Sequence, residues 1–204
     1  IKVGYHSPTS APLILFEAAI KEAGITYTSN PQDSNADILL VDLKGTKNLI
    51  PALNSKQVDA WVGPSPYPSL AATKDVGKIA LKMKNMPPEG KWYDFPCCVA
   101  SASGNLIQEN PEIVQSFVKI IEKAADYSNK NKTEAAEITA KWTGVPKKAA
   151  KISSIKYTAN PSKTWVKNVG LVYRALQTAD RINQKFTEAK YDDVKDELYD
   201  FSFI

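Results

Sequence analysis

The side chains able to do chemistry gather in a few short segments of the 204-residue sequence. His6, Ser7, Thr9 and Ser10 share one turn. Hydroxyls and backbone N–H groups at the start of a helix can hold an anion, so this turn either binds an anionic group or simply caps the helix after it. His6 is a donor to a ligand or an ordinary packing residue. Asp42 closes an apolar run, where a carboxylate accepts an amine or a helix-capping N–H. Gly63-Pro64-Ser65-Pro66-Tyr67 is stiffened by two prolines and presents the Ser65 hydroxyl with the flat face and hydroxyl of Tyr67. Trp92, Tyr93 and Asp94 lie in a stretch broken by Pro87, Pro88, Gly90 and Pro96. Aromatic rings there either stack on a ligand or pack a connector. Cys97 and Cys98 adjoin. If they lie in a strand, their side chains point to opposite faces, which disfavours a shared metal and strains a disulfide. From the residues alone they read as two small apolar fillers of a buried strand.

The remaining composition sets limits on that chemistry. One His and two Cys are too few for a closed zinc site or a disulfide framework. No metal, cofactor or catalytic residue is expected. Basic residues outnumber acidic ones by 26 to 22, and all but Arg174 and Arg181 are Lys. They are spread among acids along the whole chain, unlike the concentrated basic face of a nucleic-acid binder. Such a surface mildly favours anionic ligands. No apolar run reaches the ~18–20 residues of a membrane-spanning helix. Ile1-Lys2-Val3-Gly4-Tyr5 reads as a strand and not as a signal peptide, so an export signal or lipid anchor is expected outside these residues.

The elements that must position those groups alternate in period. Residues 1–5, 37–43 (DILLVDL), 58–62 and 78–83 read as strands, and 97–101 as one more short strand. Leu13, Phe16, Ala19, Ile20 and Ala23 recur at helical spacing up to a Gly24 cap. A helix from Gly45-Thr46 tolerates Pro51 in its first turn, and a short helix covers 69–74. This alternation predicts an α/β fold, a parallel sheet with helices on its faces, followed by a helical C-terminal segment. Asn110-Pro111-Glu112 opens the first of the later helices, with Ile113, Phe117, Ile120 or Ile121, and Ala124 on one face. A second spans 133–142 and stops at Gly144. The longest is expected over 162–186, with Trp165, Val169, Val172, Leu176, Ala179, Ile182 and Phe186 as its buried stripe. These stripes must pack on the chain's own sheet or on something else.

The order of segments resembles the substrate-binding proteins of ABC importers in the nitrate, sulfonate and taurine class. Residues 13–25 (LILFEAAIKEAGI) are similar to the first helix of that family's second lobe, and 52–61 (ALNSKQVDAW) to its helix-to-strand step. Val76-Gly77-Lys78-Ile79 followed by Pro96-Cys97-Cys98-Val99 resembles a subgroup with a Pro-Cys-Cys-Val strand. Residues 109–126 (ENPEIVQSFVKIIEKAAD) carry the most specific match, and 200–204 (DFSFI) resemble the usual chain end.

The resemblance implies a periplasmic-binding-protein fold of type II, in which two Rossmann-like lobes hold a ligand between them. Residues 1–84 would be an α/β lobe like the family's second, 85–96 the hinge or connector, and 97–204 the strand and helices that return to finish the first lobe. The segment that begins the first lobe has no counterpart here. In an alternative register, residues 1–5 and 62–64 match first-lobe motifs and the chain is one complete lobe. The implied function is non-enzymatic: a small polar, anionic or zwitterionic organic molecule is bound outside the cytoplasm, by a periplasmic protein or an anchored lipoprotein, and passed to ABC permease subunits. The expected ligand-binding residues are His6, Ser7, Thr9, Ser10, Ser65, Tyr67, Trp92 and Asp94. Two alternatives remain open. The pyrimidine-precursor synthases of thiamine biosynthesis share the fold and carry a Cys-rich motif before a similar helix, of which two cysteines stand here. The other is a one-lobe protein-interaction module.

Overall fold

A computed structural model describes residues 1–153 and 155–204. Its sheet has four parallel strands, β1 (Lys2–Tyr5), β2 (Tyr27–Thr28), β3 (Ile38–Asp42) and β4 (Ala60–Trp61), in the order β2-β3-β1-β4. β1 is central. Lys2 to Tyr5 run opposite Leu39 to Asp42 on one side, and Val3 and Gly4 oppose Ala60 and Trp61 on the other. Alternation along each strand sorts the side chains into two cores. Val3, Tyr5, Ile38, Leu40 and Val62 pack with Leu13, Leu15, Ala19 and Ile20 of helix α1 (Ala11–Glu22). Val41, Leu43 and Trp61 pack with Leu49 and Ala52 of α2 (Leu49–Asn54), with Val58, and with Tyr67 of α3 (Tyr67–Thr73). Helices therefore cover both faces, as the alternating periods predict.

Several local readings hold. Gly24 closes α1 at φ +74°, and the Ile25 N–H donates to the Ile20 carbonyl at 2.9 Å, a left-handed cap that favours glycine. Pro51 sits in the first turn of α2, after a 3₁₀ turn at Thr46–Asn48. Beyond the connector come α4 (Gly104–Glu109), α5 (Pro111–Lys130), α6 (Lys132–Thr143), α7 (Lys147–Ile152), α8 (Lys163–Thr178) and α9 (Tyr191–Leu198). Pro111 opens α5 and Gly144 ends α6. Asn110 occupies the cap position of α5, although its side chain makes no capping bond.

Other readings are corrected. Residues 78–83 are not a strand: they run without ladder bonds into a 3₁₀ turn at Met83–Asn85. Residues 97–101 are not one either. Both are apolar enough for a strand, but a strand exists only where a neighbour pairs with its backbone, and neither finds one among the described residues. Of residues 58–62, Ala60 and Trp61 stand opposite β1, and the flanking Asp59 and Val62 N–H groups donate to the Lys2 and Gly4 carbonyls, both at 2.9 Å; the two-residue β2 joins the opposite edge. The helix expected over 162–186 stops at Thr178, where Asp180 turns to φ +52° and Gln184–Phe186 forms a separate 3₁₀ turn. The 20-residue α5 is longer.

The two long helices bury their stripes differently. α8 packs on α1, with Val169 buried and Leu171 and Val172 against the first core. Arg181, just past α8, meets the buried Glu17 of α1. On α5, Val114 and Ala125 are buried, whereas Ile113, Phe117, Ile120 and Ile121 are exposed. The α8 stripe thus finds its partner within the chain, and most of the α5 stripe does not.

Candidate functional site

Ligands of open α/β sheets bind beyond the carboxyl ends of the strands. The candidate residues fall into two groups, the first of them at that edge. The first surrounds the ends of β1 and β3. Asp42 accepts from the Lys44 backbone N–H at 2.9 Å and from Lys44 Nζ at 2.6 Å. Burial raises the Asp42 pKa, but the Lys44 bonds and charge outweigh it and hold the carboxyl below its ordinary value. Burial pulls the His6 imidazole below its usual value despite the opposing charge of Asp42. Its Nδ1 is buried with no hydrogen-bond partner among the described residues. The next turn bonds to itself: Ser7 and Thr9 hydroxyls lie 3.2 Å apart, and Ser10 Oγ donates to the Ser7 carbonyl at 2.9 Å. Ser10 stands at the cap position of α1 without a side-chain capping bond, and the first turn holds no acidic residue. The helix N-terminus therefore keeps its favourable potential for an anion.

The second group lines a cavity of about 1630 Å³ between the sheet and the later helices. Its near wall is β4, an edge of the sheet, continued by Gly63, Pro64 and Ser65, with Pro12 and Phe16 of α1. Its far wall includes Asp94, Cys97, Cys98, Trp165 and the apolar face of α5 through Val114, Phe117 and Ile121. Asp94 has φ +54° and accepts from the Ser162 hydroxyl at 2.7 Å; Ser162 Oγ in turn accepts from the Trp165 N–H at 3.0 Å, capping α8. A carboxylate has about four lone-pair sites, so Asp94 retains acceptor capacity toward the cavity. Four lysines and three aspartates share the lining (Lys78, Lys82, Lys84 and Lys156; Asp59, Asp94 and Asp200). That mixture suits a ligand carrying both charges. The volume exceeds the ~300–1,000 Å³ of ordinary small-molecule pockets, and much of the wall is apolar.

Of the eight expected residues, the cavity brings together Ser65 and Asp94. His6, Ser7, Thr9 and Ser10 form the separate strand-end group. Tyr67 turns to the other face of the sheet, packs on the second core, and accepts from Thr46 Oγ1 at 2.9 Å. Trp92 is 3% exposed, belongs to the first core, and donates its indole N–H to the Pro87 carbonyl at 2.9 Å. Of the two readings of the connector aromatics, packing describes Trp92. The 63% exposed Tyr93 lines the cavity. Trp165, read from sequence as part of a buried stripe, and Trp61 also line it, and the Trp61 indole N–H is buried without a partner among the described residues. Their cavity role had no sequence signal, since strand and helix periodicity mark burial and not what covers a face. The cysteines also depart from expectation. Both are exposed, and their sulfurs lie 3.7 Å apart on one side of an unpaired segment.

Residues 1–144 match the model of the NMT1-like family. Curated relatives include proteins of Brucella abortus (strain 2308), Brucella suis biovar 1 and Brucella melitensis biotype 1, each bearing the name "Putative binding protein". Each is 26% identical over 153 residues, covering 72% of this chain and 42% of the relative. The chain thus spans less than half the length of these relatives. No solved structure matches it. No helix among the described residues is long and apolar enough to cross a membrane.

Proposed function

The chain belongs to the NMT1-like family, a family of periplasmic-binding-protein type, and on that premise we propose that it serves as a non-enzymatic solute-binding protein. It captures a small polar, anionic or zwitterionic organic molecule outside the cytoplasm and delivers it to an ABC importer. One observation carries the reading: Ser65, beyond β4, and Asp94, at the end of the connector, face the same cavity. Ser65 supplies a hydroxyl, Asp94 an acceptor for an ammonium group, and the wall lysines a counter-charge for an anionic one. Trp61, Tyr93 and Trp165 supply apolar wall. Sites of this kind combine an apolar lining with a few placed polar groups.

We further propose the division into residues 1–84 as one α/β lobe, 85–96 as connector, and 97–204 as the return segment of another lobe. The exposed stripe of α5 and the size of the cavity support it, because a small solute fills only part of that space. The remaining apolar wall suits the sheet of a second lobe, with the solute held where the lobes meet.

A thermal-shift screen of sulfonates, nitrate, amino acids and pyrimidines on the protein as the cell makes it tests the function. A ligand at 100 times its Kd stabilises the folded state by about 2.7 kcal/mol, so a true ligand gives a clear rise in Tm. Asp94→Asn should reduce that rise for a ligand with an ammonium group. A folded protein stabilised by none of these classes would argue against the reading.

A further inference from the structure

We propose that Cys97 and Cys98 form a vicinal dithiol in the cavity wall that closes reversibly to an intramolecular disulfide by exchange with a low-molecular-weight disulfide. Three observations carry this. Both cysteines are free and exposed as residues, with the Cys97 sulfur partly shielded from water. Their sulfurs are 3.7 Å apart, on the same side of the chain. Residues 97–101 are unpaired, so no ladder fixes their backbone and the sulfurs can close toward the ~2.04 Å of a disulfide. Among the described residues, no group of three His, Cys, Asp or Glu side chains could hold a metal there.

The exchange balances without any other reagent. One cysteine thiolate attacks one sulfur of the external disulfide RSSR and releases RS⁻. The other cysteine's thiolate then attacks the protein sulfur of the mixed disulfide and releases the second RS⁻. The two cysteine protons end on the departing thiolates, so two protein thiols and one RSSR give one protein disulfide and two RSH. Burial first, then the neighbouring Cys98 thiol, push the Cys97 thiol up to about 11. A raised thiol pKa slows every step in which the Cys97 thiolate attacks. Neighbouring Cα atoms are ~3.8 Å apart across a trans peptide, closer than the ~4.4–6.8 Å usual for a disulfide. The closed ring is therefore strained and readily reduced. Closure would stiffen this stretch of cavity wall and remove both thiols from it.

The test treats the reduced chain with oxidised glutathione, quenches in acid and reads the intact mass. This needs no solute, so its outcome is separate from that of the binding screen. The expected product is lighter by two hydrogens, carries no glutathione, and reverts with mild thiol reductant. Cys97→Ser and Cys98→Ser should each stop at a single glutathione adduct on the remaining cysteine. Far-UV circular dichroism of both variants confirms that the fold is kept. Persistent adducts on the wild type, a disulfide-linked dimer, or an inert pair would overturn the proposal.

Discussion

Replacing Arg181 by Ala should destabilise the chain by about 3 kcal/mol at pH 7, at the low end of the ~3–5 kcal/mol for breaking a buried ion pair from one side. Arg181 Nη2 donates to Glu17 Oε1 at 2.8 Å. Arg181 Nη1 also lies 2.8 Å from Glu17 Oε2, but that second contact is out of line for a hydrogen bond and acts through charge. The Glu17 side chain is 4% exposed and that of Arg181 26%, hence the lower figure. Charge centres about 4 Å apart attract by ~4 kcal/mol at an effective dielectric constant near 20. Desolvation opposes this. Burial raises the Glu17 carboxyl above its ordinary value, although the Arg181 hydrogen bond and charge lower it. A folded-state pKa above the unfolded one favours folding at pH below the unfolded value of about 4.5, and that contribution is lost as pH rises through the folded value. Without Arg181 the carboxyl is uncompensated at neutral pH. The loss in Arg181→Ala should therefore shrink as pH falls and Glu17 takes up a proton. Glu17→Leu combined with Arg181→Met should match or exceed the wild type, since the apolar pair escapes the desolvation cost. Urea unfolding at pH 7 and pH 5 measures all three chains. A loss below about 1 kcal/mol at pH 7 for the single variant, or a double variant as unstable as the single, would refute this reasoning.

Other consequences are as direct. The lowered pKa of His6 means that its stabilising contribution is present above pH ~6.5 and lost as pH falls through the folded value; His6→Gln should flatten the pH dependence of Tm just below pH 6.5. A Cβ on Gly4 would stand 2.5 Å from Leu43 Cδ1 and 3.4 Å from Trp61 Cβ, so Gly4→Ala should cost about 1–3 kcal/mol in denaturant unfolding through overpacking. Ile120 of α5 is 63% exposed, so Ile120→Ser should change the stability of the 204-residue chain by no more than about 0.5 kcal/mol while lowering its binding of a hydrophobic dye.

The parts of the fold legible in sequence are those set by local pattern. The apolar run ending at Leu43, the stripe from Leu13 to Ala23 with its Gly24 cap, and the Pro111 and Gly144 boundaries all follow from period, caps and breakers. What was not legible depends on partners. Residues 78–83 and 97–101 have strand composition, but pairing is a property of two segments. Ile182 and Phe186 continue the α8 stripe and stay half-buried, yet they do so from a turn, so periodicity overran the end of the helix at Thr178. In the candidate site, the sequence marked the proline-stiffened loop holding Ser65 as stiff and polar, and the structure places Ser65 in the cavity wall. Trp92 was not separable from Tyr93, because two adjacent aromatics share a composition and only packing distinguishes the buried ring from the exposed one. The cysteines were placed on opposite faces by a strand rule that does not apply to an unpaired segment.

The most direct test of the solute-binding reading is calorimetric titration of the screen's best ligand into the protein as the cell makes it, beside its Ser65→Ala variant. The expected result is one site per chain in the wild type, with affinity at least tenfold weaker in Ser65→Ala. Equal affinities in the two proteins, or no binding heat with any ligand class while the fold is intact, would contradict it.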